Sequence, residues 1–108
     1  MTDLQMLKMA KKELCLMDAA ALIYVMETAE GNVHTVVNND FQMTLDTLAQ
    51  SGDTVVTQLV AMWKEGCVDV PSYAFRKAIL ELNDANRYTK VILQSEIGYV
   101  AKPIGIMM

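Results

Sequence analysis

The sequence predicts an α+β fold, with three or four helices packed on a small antiparallel sheet that includes a C-terminal β-hairpin. Two apolar segments, 88–94 and 99–104, are joined by the short loop SEIG, as in a hairpin. No linker or repeat divides the 108 residues, so we predict a single α+β domain over 1–108. Just before the hairpin, four apolar residues have the spacing of one helix face: Phe75, Ala78, Ile79 and Leu82.

The N-terminal third contains one clear helix and one ambiguous segment. Residues 3–17 have the apolar spacing of a helix, and Asp3 can cap its start. Residues 19–26 are apolar on every side. We favour a helix that continues to Gly31, because three adjacent alanines favour helix and no glycine or proline interrupts the segment earlier. The alternative is a buried strand, LIYVME, that turns at TAEGN and pairs with VHTVVN, which its β-branched and aromatic residues favour.

The middle of the chain predicts two further helices. The first is short, begins at Asp40 and ends at Gly52. The second begins at Asp53 and ends at Gly66, and its apolar stripe is wide enough to predict that most of it is buried. Its apolar residues are Val55, Val56, Leu59, Val60, Met62 and Trp63.

The last helix and the hairpin carry the clearest local signals. Pro71 and Ser72 are typical of a helix start, and 83–86 reads as a loop. Gly98 suits the positive-φ position of the hairpin loop. Pro103 cannot donate a hydrogen bond to a neighbouring strand, so the last strand is predicted to lie at an edge or to end there.

Composition and charge favour a cytoplasmic protein that does not bind free nucleic acid with its whole surface. The net charge is −4, with −5 on residues 1–63 (three Lys, eight acids) and +1 on residues 64–108 (six Lys or Arg, five acids). The two cysteines are too few for a secreted disulfide framework, so we interpret Cys15 and Cys67 as reduced, buried apolar residues. No uncharged segment approaches the ~20 apolar residues of a membrane span.

Residues with catalytic or metal-binding chemistry are scarce. His34 is the single histidine, and a structural zinc site usually needs four Cys or His ligands, of which the chain has three. Glycine-rich phosphate-binding motifs are absent. We therefore predict no cofactor, no metal site and no catalytic residue. The one catalytic hypothesis that the residues allow is a small thiol or acid–base enzyme built on Cys67 and His34.

These observations predict a non-catalytic, acidic interaction protein that associates with itself, as a homodimer, or with another protein. The apolar fraction is 53% and the charged fraction 20%, which leaves apolar surface for a partner. The edge of the C-terminal hairpin is the predicted contact, because an open strand edge can pair with another chain. The candidate contact residues are Tyr88, Ile92, Tyr99 and Val100.

The alternative hypothesis is a DNA-binding regulator. The order helix, turn, helix, hairpin over 64–104 resembles the architecture of a winged helix-turn-helix. Glu81 follows Lys77 by four residues and offsets its charge, and Glu96 lies at the hairpin tip, where a wing would approach phosphate. The residues that would contact DNA are Arg76, Lys77, Arg87 and Lys90.

Overall fold

A mixed six-stranded sheet with helices on both faces forms the protein. The computed structural model describes residues 1–16, 22–38 and 40–108. Within these ranges the helices are α1 (Asp3–Leu16), α2 (Gln42–Ser51) and α3 (Tyr73–Leu82). The strands are β1 (Leu22–Thr28), β2 (Val33–Val37), β3 (Val56–Trp63), β4 (Val68–Asp69), β5 (Lys90–Ser95) and β6 (Gly98–Pro103). Short 3₁₀ turns cover Asp84–Tyr88 and Ile104–Met107.

The sheet has the strand order β2-β1-β3-β5-β6, and β4 pairs with β3 beside this path. The pairs β1–β2, β1–β3, β3–β4 and β5–β6 are antiparallel. Strands β3 and β5 are parallel, because α3 crosses over one face of the sheet between them. The predicted α+β class and the C-terminal hairpin are confirmed. The sheet also contains a parallel pair that the sequence did not predict.

Strand β1 is buried on both of its faces, and this explains why residues 22–26 have no helical or strand periodicity. Leu22, Tyr24 and Met26 point into the core beneath α2 and α3. Ile23 and Val25 point into the second core, beneath α1. A strand covered on both sides has a continuous apolar sequence. The predicted helix to Gly31 is therefore wrong over 22–28, and its residues 17–21 lie outside the described part of the chain.

The predicted helix from Asp53 to Gly66 is also wrong, for the same reason. Residues 56–63 form β3, with Leu59 facing one core and Val60 the other. β3 pairs with β1, β4 and β5, so it lies inside the sheet, covered on both faces. Both of its faces therefore carry apolar residues, and this pattern is the same as the wide apolar stripe of a buried helix.

The remaining helix boundaries follow the predicted signals with two exceptions. Asp3 is the first residue of α1 and not its cap, because the Thr2 Oγ1 accepts the Gln5 N–H at 3.2 Å. The Ser72 Oγ accepts a hydrogen bond from the Phe75 N–H at 3.3 Å, as an N-cap does. Gly52 ends α2 in the left-handed conformation, with φ of 79°. Asp40 is not the cap of α2, because the capping position is Phe41 and no side chain bonds there.

Among the described residues, no helix combines the length and apolar character that crossing a membrane requires.

The buried side chain of Asn86 joins the last turn of α3 to the segment that leads into β3. Its side chain is fully buried and makes three hydrogen bonds of 2.8–2.9 Å to main-chain groups. The oxygen accepts from the Val56 N–H, and the amide nitrogen donates to the carbonyls of Thr54 and Ile79. The amide thus ties the end of α3 to the start of β3.

We expect Asn86→Ala to lower the free energy of unfolding by about 2 kcal/mol or more, because it leaves buried main-chain groups without partners. Asn86→Asp should be at least as severe, since a carboxylate cannot donate to the two carbonyls. Urea denaturation followed by circular dichroism measures this. The exposed Gln94→Ala on β5 is the control, and an equal effect of Asn86→Ala and Gln94→Ala would contradict the assigned role.

Candidate functional site

The starts of α2 and α3 meet over β1 at a cluster that we call the helix junction, formed by Tyr24, Phe41, Ser72 and Phe75. The rings of Tyr24 and Phe75 stack in parallel, with centroids 4.1 Å apart and planes 6° apart. The ring of Phe41 meets Phe75 edge-on, at 5.1 Å and 79°. Tyr24 and Phe75 are fully buried, and Phe41 is half-buried. The junction is therefore mainly aromatic.

Two hydroxyl groups lie at the border of this cluster. The Tyr24 OH donates to the Ser72 Oγ at 3.4 Å, and the Ser72 N–H donates to the Tyr24 OH at 3.4 Å. Both distances exceed the usual range for strong hydrogen bonds. Ser72 also caps α3, so its hydroxyl is fixed by the helix start. Chemically, the junction offers ring faces and hydroxyls, and it contains no acidic or basic residue of the Asp, Glu, Lys, Arg or His type.

The other polar centre is a buried carboxylate at the opposite end of β1. Asp53 Oδ2 accepts hydrogen bonds from Thr28 Oγ1 at 2.6 Å and from Asn32 Nδ2 at 2.9 Å. These two bonds hold the β1–β2 turn against the segment that leads into β3. The hydrogen bonds from Thr28 and Asn32, and to a smaller extent nearby His34, lower the pKa of Asp53 below its ordinary value, although burial acts in the opposite direction.

The single histidine and the cysteines are not brought together. His34 pairs with Met26 near one end of β1. The main chain of Cys67 bonds to Trp63, which pairs with Leu22 at the other end of β1, roughly 13 Å away along the strand. The structure gives the Cys67–His34 hypothesis no site. Both cysteines are free and exposed, so the prediction that they are buried is wrong. In the described residues, no three His, Cys, Asp or Glu side chains form a group that could hold a metal ion.

The four residues predicted to contact a partner protein differ in their exposure to solvent. Tyr88, Tyr99 and Val100 are exposed on the 3₁₀ turn and on β6, which is an edge strand. Ile92 is completely buried, because β5 lies inside the sheet, so its side chain cannot reach a partner.

The predicted DNA-contacting residues do not form one face. Arg76 on α3 donates to the carbonyl of Met107, and its guanidinium lies 5.8 Å from the ring centroid of Tyr73. The guanidinium of Arg87 lies 5.0 Å from the ring centroid of its neighbour Tyr88. Lys77 and Lys90 are exposed, on α3 and β5. Two of the four cations are thus engaged with their own chain.

Several solved structures with this fold are cytidine deaminases. No protein-family model and no curated protein sequence matches the chain. The enzyme from Mycobacterium leprae is 12% identical, with a TM-score of 0.69 over 100% of this chain and 98% of its own. That from Burkholderia pseudomallei is 14% identical, with a TM-score of 0.68 over 100% and 97%. That from Mycobacterium tuberculosis is 16% identical, with a TM-score of 0.64 over 99% and 94%.

This similarity overturns the predicted function. The fold that the chain shares over its whole length is that of catalytic deaminases. The predictions of a non-catalytic interaction protein and of a chain that is not an enzyme are therefore wrong. The winged-helix alternative is wrong as well, because residues 56–63 form strand β3 and not the first helix of a helix-turn-helix.

Zinc-dependent nucleobase deaminases bind their ion with His and Cys from the signature H-x-E…P-C-x-x-C. The helix junction does not fit this ion. At the start of α3 the chain reads Pro71-Ser72-Tyr73-Ala74-Phe75, so a hydroxyl and a phenyl ring stand where the signature has two thiolates. Neither H-x-E nor C-x-E occurs anywhere in the sequence.

Replacement of Asp53 tests the carboxylate cluster. Because the pKa of Asp53 is lowered by folding, its stabilising effect is present above the unfolded value of about 3.9 and is lost as the pH falls through the lower folded value. We expect Asp53→Asn to lower the urea midpoint more at pH 7 than at pH 3. The exposed Asp46→Asn is the control. A difference between wild type and Asp53→Asn that grows on acidification would contradict this assignment.

Proposed function

We propose that this protein is an enzyme that acts on a small molecule with a pyrimidine-type ring. The observation that carries the proposal is the fold, which is shared over 99–100% of the chain with cytidine deaminases. Those enzymes are cytidine deaminases, and cytidine contains a pyrimidine ring, so we propose a substrate of that class. The net charge of −4 and the dispersed cations favour a small ligand over a polynucleotide.

The helix junction is where we propose that the ring binds. Phe41 is the half-buried member of its aromatic cluster, and a planar ring can stack on its open face. Ser72 is half-buried, so its hydroxyl can contact polar atoms of the ring. The proposed reaction is a hydrolysis: a water molecule adds to the ring carbon that carries the amino group, its oxygen becomes the carbonyl oxygen of the product, and the amino group leaves as ammonia.

Turnover and binding can be measured separately. Purified protein, at a concentration equal to that of cytidine, deoxycytidine or cytosine, should release ammonia and a uracil-type product detectable by chromatography. Phe41→Ala should weaken binding about tenfold, because stacking on an aromatic side chain contributes about 1–3 kcal/mol per base. Met43→Ala, which removes an exposed side chain from the same helix, is the control.

Saturation-transfer NMR detects binding to the same three compounds without turnover. Binding that Phe41→Ala weakens and Met43→Ala does not would support the assigned position. Absence of both product and binding for all three pyrimidines would contradict the proposal.

We further propose that the chain forms a homodimer in the cytoplasm. The unpaired thiols of Cys15 and Cys67 support a reducing compartment. Strand β6 has one partner, β5, in the sheet, so its other edge can pair with β6 of a second copy. Tyr99 and Val100 on this strand are 45% and 38% exposed, and Tyr88 nearby is 68% exposed. These three side chains would be covered by the second copy.

Light scattering should then give about 24 kDa, twice the 12.0 kDa of one chain. Val100→Lys should weaken the dimer about tenfold or more, because it replaces a buried apolar contact with a charge. Met43→Lys, which adds the same charge on α2, should leave the mass unchanged. A mass near 12 kDa at the highest soluble concentration would exclude the dimer.

A further inference from the structure

We infer that aromatic contacts have replaced the metal ion at the helix junction: the chain binds no zinc there, and the Tyr24–Phe75–Phe41 cluster joins α2, α3 and β1 in its place. The inference does not depend on the proposed substrate, because metal content and folding are measured without one.

The first argument is the chemistry of the residues at the start of α3. Tetrahedral zinc sites in proteins use thiolate, imidazole or carboxylate ligands. The Phe75 side chain has no donor atom. The Ser72 Oγ already accepts the Phe75 N–H and the Tyr24 OH. Neither side chain has a lone pair of the required kind directed at a common point.

The second argument is space. A zinc–sulfur bond is about 2.3 Å long, so a metal centre bound at the start of α3 would need room beside that helix turn. The parallel stack leaves 4.1 Å between the centroids of Tyr24 and Phe75, which is a ring-to-ring contact distance. Both rings are fully buried. The volume beside this turn is therefore occupied by carbon atoms.

The third argument is connectivity. A single ion bound by both parts of the deaminase signature joins two segments of a chain. In this protein the edge-on contact of Phe41 with Phe75 joins the start of α2 to α3. The stack of Phe75 on Tyr24 then joins α3 to β1. These two ring contacts connect α2, α3 and β1 without a coordinate bond.

Zinc content tests the inference directly. The protein is incubated with one equivalent of zinc chloride, passed through a gel-filtration column, and measured by inductively coupled plasma mass spectrometry. The double variant Cys15→Ser/Cys67→Ser removes zinc that the exposed thiols could bind. We expect about 0.1 zinc per chain or less in this variant, and no change in melting temperature with a chelator. About one zinc per chain, or a lower melting temperature with the chelator, would overturn the inference.

The melting temperatures of variants test the second part of the inference, that the aromatic cluster joins α2, α3 and β1. Phe75→Leu keeps most of the apolar volume but loses the ring stack, so its melting temperature should fall by about 5 °C or more. Tyr73→Leu makes the same kind of change at an exposed ring of the same helix and should lower it by less than about 2 °C. Tyr24→Phe retains the stack but loses the two hydroxyl bonds to Ser72, so its melting temperature should fall by less than that of Phe75→Leu. Equal melting temperatures for Phe75→Leu and Tyr73→Leu would refute the role of the cluster.

Discussion

The stacking of Tyr24 on Phe75 is the contact on which the arrangement of the helices depends. It places α3 over β1, and the edge-on ring of Phe41 then positions the start of α2. Tyr24 can take part only because β1 is covered on both faces, with α1 closing the opposite side. The two cores are thus linked through the central strands β1, β3 and β5, each of which has side chains in both. Substitutions in β1 should therefore affect both cores, whereas substitutions in α1 affect one.

Local signals at the two ends of the chain were sufficient to predict structure there. The helical spacing of 3–17, the cap at Ser72 and the loop glycine at Gly98 each have a local physical cause, and the structure contains α1, α3 and the hairpin where they predicted them. The predictions for the central segments failed because burial on both faces removes the polar positions from which the period of a helix or a strand is recognised. For 22–28 and 56–63, the pattern of a buried strand and that of a buried helix are the same.

The helix junction could not be found from the sequence for a related reason. Tyr24, Phe41 and Phe75 are ordinary core residues in pattern, and only the fold brings three distant rings together. Because β1 and β3 were predicted as helices, the sequence did not predict the six-stranded sheet that characterises this fold. Cys67 and His34, the residues of the catalytic hypothesis, lie near opposite ends of β1. A fold can persist while the chemistry at its site changes.

Diffraction at the zinc absorption edge, from crystals of the Cys15→Ser/Cys67→Ser protein soaked in zinc chloride, tests the central claim most directly. The account predicts continuous density for the stacked rings of Tyr24 and Phe75, and no anomalous peak at the start of α3. An anomalous peak within coordination distance of Ser72, with the Phe75 ring displaced from Tyr24, would contradict it.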